Sequence, residues 1–305
     1  MNSKNMRGQK EKISLFKPDE LFDFHFREDG KMNIGQSHLY FHINRIEDVI
    51  HYLKFPVIPH KKTLFDFIFL TKGKSKRSKG LNEYEFSENT FFFLPALQIT
   101  SCEQITEDSR GFFCHFDLQI FDEIFPHHSF LEDIGFLQHH GEPLVEVSDE
   151  VKNTIITLLQ RLESYYLSAT KIDLELISLH LATIFRELQV LEKKQANLPQ
   201  KSAFIVTNKF KNLLSQHIFK TKKITDYADM LAISPEYLNR CVKSVTGKTS
   251  QDVLTDMILL EAKVLLKQTD LSVGEIAFKF SEINPSDFIR LFKSKVGITP
   301  KKYRQ

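Results

Sequence analysis

The spacing of apolar residues changes character along the chain. Between about residues 37 and 117 they fall in short runs broken by polar turns, at 39–43, 64–70, 84–86, 90–94 and 111–116. Short strands at this spacing predict a sandwich or barrel. Alternation in the second run sets Phe65, Phe67 and Phe69 on one face and Asp66, Ile68 and Leu70 on the other, and leaves open which face turns inward. Phe65, Phe67, Phe69, Phe91, Phe93, Phe113 and His115 are the candidate lining of the barrel, able to hold a small ligand or simply to fill a core. From residue 149 the period becomes helical. Val151, Ile155, Leu158, Leu159 and Leu162 form a stripe over 149–167, and Leu174, Ile177, Leu181, Ile184, Phe185 and Leu188 form one over 172–194. Their short connection predicts an antiparallel helical hairpin. The polar run 193–201, with Pro199, reads as a linker.

Beyond the linker the pattern repeats. Pro235, Leu238, Arg240, Val242, Lys243, Ser244, Gly247 and Thr249 recur fifty residues later as Pro285, Phe288, Arg290, Phe292, Lys293, Ser294, Gly297 and Thr299. Ala228 and Leu231 match Ala277 and Phe280 at an offset of forty-nine, so the second copy holds one extra residue between its helices. Each copy predicts helix, turn, helix, a unit whose second helix can enter a DNA major groove. Ser234 with Pro235 makes an N-cap and first-turn pair, and Ser272 with Glu275 a capping box. The first reading helix should run to about Val245 and stop near Gly247, burying Leu238, Cys241 and Val242 and turning Glu236, Asn239, Arg240 and Lys243 outward. The second, begun by Asn284 and Pro285, should bury Phe288, Leu291 and Phe292 and expose Ser286, Asp287, Ile289, Arg290 and Lys293. Between the copies, residues 251–267 carry Val253, Leu254, Met257, Leu260, Ala262, Leu265 and Leu266 at helical spacing. A helix of that length spans roughly 25 Å, enough to hold two reading helices about one DNA turn apart.

The net charge of +2 conceals an asymmetry: residues 201–305 hold 18 basic and 10 acidic side chains, and residues 1–200 hold 23 and 29. The excess positive charge coincides with the repeat, as phosphate neutralisation requires. Cys102, Cys114 and Cys241 have neither paired nor metal-ligand spacing, which points to a reducing compartment. With no apolar run long enough for a signal peptide or membrane span, the sequence predicts a cytoplasmic protein without a membrane partner.

The segment 223–304 resembles the double helix-turn-helix domain of AraC/XylS-type transcription regulators. The resemblance rests on Ala228, Ser234, Pro235, Arg240, Ala262, Lys263, Leu265, Leu266, Phe292, Lys293, Gly297, Thr299, Pro300, Tyr303 and Arg304. Two positions depart from the family pattern. Ser281 and Glu282 stand where members usually carry glycine and phenylalanine, so the second turn is either rebuilt around Ile283 and Asn284 or less rigid; Ile258 stands where many have arginine. The first region resembles the family's cupin-like effector barrel, with Pro59 and His60 ahead of a strand ending at Lys72 and Gly73, and a phenylalanine-rich strand leading to Pro95. The resemblance implies dimerisation through the helical hairpin; the alternative is that both helices only pack on the barrel.

The expected architecture is therefore α+β and multidomain: an N-terminal extension (1–36), a cupin-like β-barrel (37–147), a helical hairpin (148–194), a linker (195–201) and an all-α double helix-turn-helix domain (202–305). The expected function is a sequence-specific regulator that binds double-stranded promoter DNA in two successive major grooves. RNA polymerase, a second copy of the chain and a small-molecule effector are its expected partners. Arg240 suits guanine, Asn239 adenine and Glu236 cytosine. Arg290 and Ser286 repeat these roles in the second groove, and Lys243, Lys248, Lys293 and Lys301 suit phosphates. His60, Phe67, Phe93 and His115 are the candidate effector contacts. The competing class is a cupin-type metal-dependent enzyme with a regulatory helical tail. It needs a converging set of metal ligands; His60 and His115 are the barrel's only histidine candidates, and the paired His127–His128 and His139–His140 make poor ligand sets because neighbours point apart. No metal, cofactor or catalytic residue is expected.

Overall fold

The computed structural model describes residues 40–122, 124, 125, 131, 134–139, 141–168, 173–195, 202–281 and 283–305. The expected N-terminal extension, most of the linker, His127, His128, His140 and Glu282 lie outside the described residues.

The N-terminal region is two antiparallel sheets. Five strands, β1 (Phe41–Arg45), β3 (Phe65–Lys72), β6 (Thr90–Leu94), β8 (Arg110–Phe116) and β9 (Leu144–Glu146), run in the order β1-β8-β3-β6-β9. Four more, β2 (Val57–His60), β4 (Lys74–Lys79), β5 (Asn82–Ser87) and β7 (Thr100–Ile105), run β2-β7-β4-β5. A short helix α1 (Ile46–Val49) follows β1, and the hairpin helices α2 (Asp149–Ser168) and α3 (Leu174–Gln195) follow the sheets.

Register settles which face turns where. Phe67 lies opposite Phe93 and Cys114, whereas Asp66 lies opposite Leu94 and His115. Phe67, Phe69, Phe91, Phe93, Phe112 and Phe116 form one core with Ile155, Leu159, Leu162, Ile177, Leu181 and Phe185 of the hairpin. Phe93 stacks on Phe136 with ring centroids 4.2 Å apart and meets Phe185 edge-on at 6.0 Å. Ile68, Leu70, Phe92 and Leu94 instead join Phe86 and Ile105 of the second sheet, with Phe113 packed against them. Of the expected effector contacts, Phe67 and Phe93 face the helices and not the second sheet. His115 lies on the opposite face, beside Asp66, and His60 is buried at the end of β2.

The C-terminal region is helical: α4 (Ser202–His217), α5 (Ile224–Met230), α6 (Pro235–Thr246), α7 (Ser250–Gln268), α8 (Val273–Lys279), α9 (Pro285–Val296) and α10 (Pro300–Arg304). One core runs through both repeats and the connecting helix α7, from Phe210, Leu238 and Val242 through Leu254, Met257 and Leu265 to Ile276, Phe288 and Phe292. The C-terminal end of α7 is stapled by the chain's own tail. Arg304 Nε donates to the Leu266 carbonyl at 3.1 Å and the same guanidinium reaches the Leu271 carbonyl, while Lys267 Nζ donates back to the Arg304 carbonyl. That gives Arg304 a structural role here, since the last carbonyls of a helix lack intrahelical partners. No helix among the described residues is long and apolar enough to cross a membrane.

Candidate nucleic-acid interface

Both reading helices are built by the same local chemistry. In α6, Ser234 Oγ accepts from the Tyr237 N–H at 3.1 Å and Pro235 opens the first turn; Gly247 ends it at φ 72°. In α9, Asn284 Oδ1 accepts from the Ser286 N–H at 2.9 Å and Pro285 opens the first turn; Gly297 ends it at φ 86°. A left-handed residue after the last turn is where glycine carries no steric cost. Threonine then restarts the chain twice: Thr249 with Asp252 forms a capping box for α7, and Thr299 Oγ1 accepts from Lys302 N at the start of α10.

Leu238, Cys241 and Val242 are buried under α6, and Phe288 and Phe292 under α9, with Leu291 half-buried. On the opposite faces Glu236, Arg240, Lys243, Ser286, Ile289, Arg290 and Lys293 are exposed. The two arginines are held differently. Arg240 lies over the Tyr237 ring, 5.2 Å from its centroid, while Arg290 bonds Asp287 at 2.9 Å.

Two expected contacts are held within the chain. Asn239 is half-buried, and its Oδ1 accepts from both the backbone N–H (2.9 Å) and hydroxyl (3.2 Å) of Ser250, at the first residue of α7. A bidentate adenine contact needs that same oxygen to accept from the base; in this structure it joins α6 to α7 instead. Lys248, exposed like Arg290, is likewise ion-paired within the chain, to Asp256 at 2.7 Å. Ile258, where many family members carry arginine, is 4% exposed and belongs to the core. Lys301 is exposed as expected.

The second turn opens with the same backbone conformation as the first. Ser281 takes φ 54°, the value of Ala232 at the matching point of the first turn. Lys222 Nζ donates to the Ser281 carbonyl at 3.1 Å, and Phe219 stacks on Phe280 at 5.2 Å, so the connection between α4 and α5 braces this point.

Inside the N-terminal sheets the sequence reading missed a polar row. His42 on β1 lies opposite His115, which lies opposite Asp66, and His42 Nδ1 shares a 2.7 Å hydrogen bond with the Tyr166 hydroxyl. Burial pushes the His42 imidazole down to about 4, and burial with the nearby Lys62 ammonium pushes His60 down to about 3, so both are neutral at physiological pH. Among the described residues no group of three or more His, Cys, Asp or Glu side chains is arranged to hold a metal ion.

Residues 227–305 match a family model described as a helix-turn-helix domain. The chain is 35% identical over 98 residues to the bifunctional transcriptional activator/DNA repair enzyme AdaA of Bacillus subtilis (strain 168), covering 31% of this chain and 46% of that protein. It is 27% identical over 154 residues to the HTH-type transcriptional activator RhaS of Enterobacter sp. (strain 638), covering 50% and 52%. The chain thus spans about half the length of the curated relatives it matches. Among solved structures, ToxT from Vibrio cholerae aligns at 14% identity with a TM-score of 0.40, covering 87% of this chain and 98% of that one.

Proposed function

We propose that this chain, whose C-terminal segment is a helix-turn-helix domain of the AraC type, is a sequence-specific transcription regulator that reads two successive major grooves of promoter DNA. The observation that carries the reading is the exposed arginine at equivalent points of α6 and α9, each on a helix whose other face is core. A guanidinium at such a point can bridge guanine O6 and N7, and the basic excess of residues 201–305 supplies phosphate affinity. Glu236, Ser286 and Ile289 complete the base-reading set, and Lys243 and Lys293 sit where phosphates would pass.

The N-terminal sheets act as the regulatory unit, modulated by a small molecule, with no catalytic step of their own. The relatives named above are transcription activators, and in AdaA only the helix-turn-helix part is matched. The hairpin serves a homodimer: Leu167, Leu179 and Val190 remain 66%, 46% and 55% exposed after the hairpin has packed on the sheet. RNA polymerase at the bound promoter is the further partner, and the cytoplasm is where these partners meet.

The test is selection of duplexes by the full chain from a randomised library, followed by groove-specific footprinting. Two protected major-groove clusters about ten base pairs apart are expected. Recovery of sequences no different from the input pool would overturn the reading.

A further inference from the structure

Residues 218–223, the connection from α4 to α5, are tied down along their length. The His217 carbonyl accepts from the Lys220 and Thr221 N–H groups at 2.8 and 3.1 Å. The Thr221 hydroxyl reaches the Asp226 carboxylate and accepts from the Lys223 N–H at 3.2 Å, while the Tyr227 hydroxyl donates to the Thr221 carbonyl at 2.9 Å. Behind the connection, α4 packs on the reading helix α6, with Phe210, Leu214, Leu238 and Val242 in one core. The connection is therefore a fixed projection of the first helix-turn-helix unit.

That projection touches the second unit twice. Lys222 Nζ donates to the Ser281 carbonyl at 3.1 Å, a charge-assisted bond. Phe219 stacks on the buried Phe280, which stacks in turn on Phe288 of α9 with 6.2 Å between centroids. Two rings thus carry contact from the first unit to the inner face of the second reading helix. The covalent path between the units is different: it runs through α7 and the four residues 269–272 that separate α7 from α8. A rod ending in a short link fixes the separation of two bodies better than their relative rotation, because link torsions are where a hinge absorbs change. The Arg304 staple joins the second unit to that rod and not to the first unit. A contact away from the rod removes the remaining rotation.

We propose that Lys222 and Phe219 are positioning residues for DNA reading. Together they form a strut beside the rod, which fixes the rotation of α9 relative to α6 and makes the chain selective for one spacing between the two sequences it reads. The inference rests on the two-groove reading above and adds the residues that set its spacing. The competing role for an exposed lysine is a phosphate contact, and the test separates the two.

The experiment uses the full chain and has two readouts. Without DNA, spin labels on Ser244→Cys and Ser294→Cys, exposed and equivalent in the repeat, report the distance between the units by pulsed electron paramagnetic resonance; the three native cysteines are buried. Lys222→Met with Phe219→Leu removes the bond and the ring, and should widen the distance distribution. With DNA, anisotropy compares a selected duplex with copies that hold one base pair more or fewer between the two read sequences. One pair moves the second groove by ~3.4 Å and turns it by about 34°. The parent chain should lose at least about tenfold in affinity on either change, and the double variant no more than about threefold. Lys222→Met alone, at an exposed position that keeps the fold, should show part of both effects. Lys222→Arg, with a donor of similar reach, should show neither. A distribution left unwidened in the double variant overturns the strut. So does a Lys222→Met chain whose salt slope falls by about one phosphate equivalent while the spacing penalty stays whole, because Lys222 is then a phosphate contact. A chain that selects no duplex removes the two-groove reading, and the distance distribution still decides whether the strut holds the units.

Discussion

The two helix-turn-helix units share a frame and differ in how they present their arginines. Tyr237 and Asp287 occupy the same point of the repeat, three residues before Arg240 and Arg290. The first offers a ring face, which orders the guanidinium and leaves its charge whole. The second offers a carboxylate, which orders it and cancels much of its charge. Their cores differ too. Leu231, Leu238 and Val242 become Phe280, Phe288 and Phe292, and an aromatic column runs from Phe219 through Phe280, Phe288 and Phe292 to Tyr303. The duplicated frame thus supports one unit suited to strong, charge-driven contact and another whose reading face carries a paired arginine beside the apolar Ile289.

The largest effect should come from the unpaired guanidinium. Arg240→Ala is expected to cost about 1–3 kcal/mol in binding to a selected duplex and to relax preference at one guanine, while Arg290→Ala costs less because its side chain must first leave Asp287. Titration by fluorescence anisotropy checks both. If Arg290→Ala proves the more damaging, the ranking of the two units is reversed.

That contrast was only partly legible in the sequence. The repeat itself fixes the caps, the glycine stops and the outward arginines, because these depend on neighbours within a turn or two. The capture of Asn239 by Ser250 depends on how α6 meets α7, eleven residues on, and a helical wheel cannot distinguish it from an outward reader. In the sheets, alternation separated Phe67 from Asp66 correctly but could not assign the faces, because both are buried: one beneath the hairpin, the other against the second sheet. Strand β4 left no apolar signal at all. Its sequence is Lys-Ser-Lys-Arg-Ser-Lys, and its buried Ser75 and Lys79 are satisfied by the carbonyls of Gln104, and of Gln138 and Gly141. Those partners are 29 and about 60 residues away, beyond any local pattern.

The equivalent positions Asn239 and Ile289 sharpen the comparison next. Asn239→Ala should destabilise the C-terminal region by about 1–2 kcal/mol, since it strips a partner from the buried Ser250, and should leave the order of preferred bases unchanged. Ile289→Ala should do the reverse: its side chain is 39% exposed, so folding changes little while preference for a thymine methyl fades. Denaturant midpoints paired with duplex selection test the two together. An Asn239→Ala protein of normal stability that had lost an adenine preference would restore the base-reading role.

The turns differ in what they ask of the backbone residue they share. Ala232 and Ser281 both sit near φ 54°, where a Cβ costs about 1 kcal/mol. Ser281 adds a buried hydroxyl with no hydrogen-bond partner among the described residues. Ser281→Gly is therefore expected to stabilise the second unit by about 1 kcal/mol, and by more than Ala232→Gly stabilises the first. Hydrogen exchange at the amides of α9 and α6 reports each unit separately. Equal protection gains in both would mean that the hydroxyl carries no cost of its own.

The smallest expected effect bears most directly on why the units differ. Asp287→Asn keeps the shape of the side chain and releases the charge of Arg290, and it removes a carboxylate from a face that approaches phosphates. Affinity for a selected duplex should rise, roughly two- to fivefold at low salt, because an exposed pair of this kind is worth only ~0.2–1 kcal/mol. The slope of log affinity against log salt should steepen by about one phosphate equivalent. Tyr237→Phe in the first unit is the matched control: it retains the ring face under Arg240 and should change neither quantity. If Asp287→Asn left affinity and slope untouched while Arg290→Ala still weakened binding, Arg290 would already leave Asp287 on reaching DNA, and the two units would be equivalent readers despite their different supports.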